Sequence, residues 1–330
     1  MNPSLRKIVR FPLPLLILCT LALIALNGCS SGTLPSPHGY VLARYGTGSL
    51  RTLPANDPLY QVFDRDVMSD PVVAHLLSLF DGTCGGFDAT NLVSPNPQTL
   101  SNYLVIVIGA HGNRLLKDIK MQDGGRTVQI EYAVALSIES DADLSETRGH
   151  LRELLAQFLL AVTGQDPPAI PADVSSDCTC AAEAQVFWRG YAILQRDRGA
   201  LGLEPGSGAS IDQDVLLSNL GADDWACCPT QPPIGSSSDC ICARGVAGFL
   251  AELVATMPAS YPQRYMLWFA NYEPGETRDA KLLLAFARMS RDDAGLDAFV
   301  TSYADTFPSE ADLVRNLSKS WRARMAGADR

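Results

Sequence analysis

The chain has 330 residues, 47% of them hydrophobic and 19% charged, with 26 Lys plus Arg against 36 Asp plus Glu and a formal net charge of -10. This is a globular composition rather than that of a disordered tail. Three basic residues and no acid fall within residues 1–28, so the remainder carries -13, and its lysines are Lys117, Lys120, Lys281 and Lys319. An acidic body this poor in lysine argues against a nucleic-acid partner, because neutralising phosphates needs clustered Lys and Arg. A chain of this length suggests two domains, each large enough to bury a core.

Arg6, Lys7 and Arg10 precede an apolar run from Phe11 to Leu26, interrupted early by Pro12 and Pro14. The run falls short of the roughly 20 residues that a spanning helix needs, and it is basic on its N-terminal flank, as a signal peptide is. Leu26-Asn27-Gly28-Cys29 follows at once, then Ser30, Ser31 and Gly32. This segment resembles the lipobox of bacterial lipoproteins, with Asn27 where a smaller residue is usual. The resemblance covers about the first 30 residues. It implies cleavage before Cys29, acylation of the Cys29 thiol with a diacylglycerol (a palmitate-type anchor), and a place in the bacterial cell envelope facing the periplasm. The bilayer is then a partner through the acylated N-terminus. Ser30 after the cysteine points to the outer membrane rather than the inner where a cell has two. Ser30 to Gly39, with Pro35 and Pro37, reads as a tether reaching about 35 Å when extended.

Tyr40 to Tyr45 is a short strand candidate. Asp70-Pro71 supplies an N-cap and a first-turn proline. Val72, Val73, Leu76, Leu77 and Phe80 then repeat at helical spacing up to Asp81-Gly82. Residues 81–100 read as a loop containing Cys84. Tyr103–Ile108, Leu115–Met121 and Thr127–Ile138 are β-prone runs separated by His111-Gly112-Asn113 and Asp123-Gly124-Gly125, the pattern of an antiparallel meander.

The acidic run Glu139-Ser140-Asp141-Ala142-Asp143 marks a change of periodicity. Beyond it the spacing predicts helices. Asp143 and Glu146 fit a capping box, and His150, Leu151, Leu154, Leu155, Phe158, Leu159 and Val162 make one face. Further helices are expected over 180–196, 211–220, 241–256, 262–273, 278–289, 292–304 and 309–324, the last capped by Ser309 with Asp312. Tyr261, Tyr265, Trp268, Phe269 and Tyr272 form an aromatic stripe read as core. The expected fold is α+β: a small antiparallel-sheet N-terminal module (40–140) followed by a mainly α-helical domain (141–330), after a signal peptide (1–28) and a tether (29–39).

The helical part contains an internal repeat. Ser175-Ser176-Asp177-Cys178-Thr179-Cys180-Ala181 recurs 62 residues later as Ser237-Ser238-Asp239-Cys240-Ile241-Cys242-Ala243, with six of seven positions identical. Each copy follows a proline-rich loop and precedes a helix, which suggests a duplicated helix-loop-helix unit with the CxC pair in the first helical turn. Cys178, Cys180, Cys227, Cys228, Cys240 and Cys242 lie within 65 residues. In an oxidising compartment they are disulfide candidates, with the pairing open. Converging CxC pairs would instead offer Cys178, Cys180, Cys240 and Cys242 to zinc or copper, or serve thiol exchange, although the CxxC spacing usual for those roles is missing.

Catalytic signals are thin. There is no HExxH, GxSxG or phosphate loop, and no catalytic residue is assigned. His150 and Glu153 stand at i and i+3, a spacing that can present two metal ligands but usually marks a surface pair. The sequence therefore points to a membrane-anchored, non-catalytic binding or assembly component with a possible envelope protein partner. A thiolate metal-binding or redox protein is the alternative, and an envelope hydrolase built around His111 or His150 the third.

Overall fold

The computed structural model describes residues 40–45, 49–82, 104–123, 126–137, 144–162, 183–203, 216, 219, 242–269, 272–289 and 295–325. They belong to one compact unit, Ser36–Arg330. The architecture is α+β, with five strands in one sheet and helices that dominate after residue 144.

The strands are β1 (Tyr40–Tyr45), β2 (Leu50–Thr52), β3 (Leu104–Ile108), β4 (Arg114–Asp123) and β5 (Arg126–Leu136). They close into a small barrel in the order β1-β2-β4-β5-β3. The meander expected from the turns is corrected here. β4 and β5 form a hairpin, but β3 does not pair with β4; it runs parallel to both β1 and β5, with Ile106 opposite Leu42 and Val134. The reason lies in β3 itself: Leu104-Val105-Ile106-Val107-Ile108 is apolar at every position and buried at every position. A strand of that kind needs cover on both faces and settles between neighbours that are also buried. β4, carrying Lys117, Asp118 and Lys120, cannot supply it.

Tyr40, Leu42, Leu104, Ile106, Ile108, Val134 and Leu136 belong to a core shared with the helices. The alternate residues Val41, Ala43, Val105, Val107, Ala133 and Ala135 are also buried but lie outside that cluster. A period of two places this second set on the opposite face, inside the barrel, where the three alanines suit its narrow bore.

Between β2 and β3 stand α1 (Pro58–Phe63), continued by a π-helical turn over Asp64–Met68, and α2 (Pro71–Gly82). Asp57 caps α1 through a bond from the Leu59 amide, and Asp70 caps α2 by accepting from Val72 and Val73. The α2 cap is the one the sequence predicts. The helix α1 and the strand β2 were not expected.

The helices that follow are α3 (Leu144–Val162), α4 (Glu183–Arg196), α5 (Ala243–Thr256), α6 (Met266–Phe269), α7 (Pro274–Ala287), α8 (Leu296–Thr306) and α9 (Ala311–Met325). α4 packs along α5, α3 bridges β5 and α4, and α9 lies on α5 and α8. Phe187, Trp188, Phe286 and Phe299 interlock at ring-centroid distances of 5.1 to 5.8 Å in the centre.

Several boundaries differ from expectation. Residues 262–273 do not form one helix: a 3-10 turn at Gln263–Tyr265 leads into the single turn α6, and residues 270 and 271 are outside the described set. Tyr265, Phe269 and Tyr272 are nonetheless buried, as the core reading of the stripe requires. α7 begins four residues early, at Pro274, where the Glu276 carboxylate accepts from the Glu273 amide. Ser309 is inside a 3-10 turn, Pro308–Glu310, rather than capping α9. Of the helix expected over 211–220, residues 216 and 219 are described and helical.

Candidate functional site

An open groove of about 440 Å³ runs between the first half of α3 and the end of α4. Three guanidinium groups line it, from Arg148, Arg152 and Arg196, together with Ser145, Glu146, Gly149, His150, Glu153 and Asp197. Arg148 and Arg152 share a face of α3 because they are four residues apart.

Each arginine is held differently. Arg152 grips Asp70 through Nε at 3.0 Å and through Nη2, and its Nη1 donates to the Arg196 carbonyl at 3.0 Å. Burial alone would raise the Asp70 carboxyl; the Arg152 fork and the Val73 and Val72 amides more than offset it, so the group lies below its ordinary range. Arg196 forks onto Asp197 at 2.9 Å through both Nε and Nη2. Arg148 donates Nε to the Asp66 carbonyl at 2.8 Å. The Asp66 carboxylate is itself held by Arg65 through two bonds.

His150 and Glu153 are not brought together as a ligand pair. The His150 ring faces Glu146 at 3.4 Å, and Glu153 reaches Arg189 at 3.5 Å. Among the described residues no group of three or more His, Cys, Asp or Glu is placed to hold a metal ion. Among them too, no helix is long and apolar enough to cross a membrane.

A second polar centre is fully buried. Asp279 on α7 accepts from Arg198 at 2.9 and 2.7 Å and lies 2.9 Å from Nε2 of His75 on α2. Burial would raise this carboxyl, but Arg198 and His75 hold it far below the usual range. A third centre surrounds Lys281, whose ammonium donates to the carbonyls of Pro258 and Ser260 and to Glu310 at 2.5 Å, while Tyr303 donates to the other Glu310 oxygen at 2.6 Å. Burial pulls the Lys281 ammonium down despite Glu310. The charged groups of both centres are matched by their own partners and fasten helices together, although beside Asp279 the Tyr191 hydroxyl and the Gln195 Nε2 are buried without a hydrogen-bond partner among the described residues.

No protein-family model, curated protein or solved structure matches the chain. The site therefore rests on its own geometry.

Of the sequence-derived site residues, Cys242 is described. It is not in the first turn of α5, as the repeat suggested, but caps it: its Sγ accepts from the Gly245 amide at 3.3 Å. The residue is buried, and a side chain added at Gly245 would meet both its sulfur and Met325 of α9. Cys29, Cys84, Cys178, Cys180, Cys227, Cys228 and Cys240 lie outside the described residues. His111 is exposed on the β3–β4 connection, and His75 is buried against Asp279.

Sequence reading missed the groove arginines and both buried centres. The signals were faint: Arg148 and Arg152 at i and i+4 on the polar side of α3, and Lys281 opening the apolar run Leu282-Leu283-Leu284-Ala285-Phe286. A lone charge within such a run needs a buried partner, yet nothing local names it.

Proposed function

We propose that the chain is a lipid-anchored bacterial envelope protein that acts as a non-catalytic binding or assembly component. The observation that carries this reading is the order of the N-terminus: basic residues, a short apolar run, then Leu26-Asn27-Gly28-Cys29 and a serine- and proline-bearing tether. Acylation at Cys29 confines the body to a membrane surface, with Ser30 favouring the outer one. The α+β part (40–140) and the helical part (141–330) then act as one presented surface.

The groove between α3 and α4 supports a binding role. Its guanidiniums are prepositioned by Asp70, Asp197 and the Asp66 carbonyl, which lowers the ordering cost of engaging a partner. The clustered cysteines serve as disulfide braces for a duplicated helix-loop-helix unit; the burial of Cys242 at the start of α5 suits a bridge better than an exchange reaction at the surface.

Lipid labelling and detergent partitioning of the full chain test the anchor. The native chain is expected to incorporate labelled acyl chains and enter the detergent phase, and Cys29→Ala to do neither. Acyl chains retained by the variant would overturn the reading.

A further inference from the structure

We infer that the groove between α3 and α4 binds an anionic oxygen group, a phosphate or a carboxylate, with Arg148 as its principal contact. This deepens the binding role proposed above and rests on it.

The inference follows from how the charges are paired. Arg152 is committed to Asp70 and to a backbone carbonyl, Arg196 to Asp197, and Glu153 to Arg189. Arg148 differs. Among the described residues it makes one hydrogen bond, from Nε to a carbonyl; the Asp66 carboxylate feels its charge but takes its two hydrogen bonds from Arg65. Its two terminal nitrogens can therefore meet an incoming anion in the forked geometry that guanidinium groups favour.

The surroundings suit that ligand. Gly149 is part of the groove lining, and the position its Cβ would take is 3.8 Å from Cγ of Arg196, so any side chain there would project toward the groove. The Glu146 carboxylate is 76% exposed and can turn to solvent as an anion enters. The chain as a whole is acidic, so long-range attraction is absent and affinity has to come from contact inside the groove. That makes binding sensitive to each individual charge lining it.

The test is isothermal titration of the full-length chain in detergent with inorganic phosphate at low ionic strength. Saturable binding is expected. Arg148→Gln should weaken it about tenfold, as for loss of a charge-assisted pair of bonds. Glu146→Gln should strengthen it by about threefold, a gain that no folding defect can mimic. Arg315→Gln, on the exposed side of α9, should leave it unchanged. Absence of saturable binding, equal binding by Arg148→Gln, or no gain in Glu146→Gln would overturn the proposal.

A second arm fixes the source of the anion. With the Cys29→Ala chain, Arg148-dependent binding to vesicles containing phosphatidylglycerol, over phosphatidylcholine alone, assigns the site to a lipid headgroup. Phosphate binding without vesicle binding assigns it to a soluble ligand. Lipid labelling reports on the anchor separately, so failure of the anchor and failure of the groove are read in different experiments.

Discussion

Nε2 of His75 lies 2.9 Å from Oδ2 of Asp279, a contact between residues 204 positions apart that fixes α2, beside the barrel, to α7 in the helical part. The same carboxylate takes both terminal nitrogens of Arg198, and the Asp279 side chain is wholly inaccessible. One carboxylate thus closes three separate stretches of chain around itself.

Replacing Asp279 by Asn keeps the shape but leaves Arg198 buried without a counter-ion. Breaking a buried pair in this way costs about 3–5 kcal/mol. Urea denaturation should show that loss, whereas Asp297→Asn, at a carboxylate 79% exposed, should shift stability by less than about 0.5 kcal/mol. A loss under about 1 kcal/mol for Asp279→Asn would contradict the role given to it.

Asp70 makes stability depend on pH in a defined direction. Its folded value is below the ordinary 3.8, so its contribution is complete above that value and is lost as the pH falls through the folded one. Asp70→Asn retains a capping side chain but gives up the Arg152 pair, and should cost about 1–2 kcal/mol at neutral pH. The gap between native and variant should narrow as the pH falls below 3.8 and through the folded value. A gap that stays constant throughout that fall would assign the loss to packing instead.

At Gly190 α4 lies tightly against α5. A Cβ there would lie 2.5 Å from Cβ and Cγ1 of Val246 and 2.8 Å from the Ala243 carbonyl oxygen. Gly190→Ala should therefore destabilise by about 1–3 kcal/mol even though alanine is the better helix former. Adding Val246→Ala removes the Cγ1 clash but keeps those with Cβ of residue 246 and with the Ala243 carbonyl, so it should restore only a small part of the loss. A rise in the melting temperature of Gly190→Ala alone would show that the two helices stand farther apart.

The cysteines are tested by non-reducing peptide mapping of chain recovered from an oxidising compartment. Cys227 and Cys228 are expected to take partners outside their own pair, at least one from a CxC motif, with Cys84 as the odd thiol. A bridge joining the two repeats would close a long loop and contribute about 4 kcal/mol on the chain-entropy model. Cys178 bonded to Cys180 and Cys240 to Cys242 would refute the bracing reading and favour a redox one. Metal analysis of the same preparation bears on zinc or copper.

The elements that were legible are those whose signal is local. α3, α4, α5 and α9 each carry an apolar face at helical period over three turns or more, and Asp70-Pro71 announces α2 by its cap. α1 has the same signal in Asp57-Pro58, but its six residues are too few for a period to emerge. The aromatic stripe showed the burial of Tyr265, Phe269 and Tyr272 correctly, with Tyr261 only partly buried, and helix length incorrectly, because aromatic side chains bury themselves from a broken turn as well as from a continuous one. The neighbours of β3 were illegible for another reason: a strand apolar on both faces declares that it is interior, not which strands flank it. The groove was hidden because Arg148 and Arg196 are 48 positions apart in the chain, on two different helices, and their spacing encodes no meeting point.

The place of β1 has a mechanical consequence. Tyr40 opens the strand directly after the segment read as a tether, and β1 is bonded along its length, parallel to β3 and antiparallel to β2. Tension entering at residue 40 runs along the strand and crosswise to its hydrogen bonds, which must give way together rather than one after another. The body would resist a pull from its N-terminal side as a lap joint resists shear, and would peel far more easily from an edge loaded at right angles.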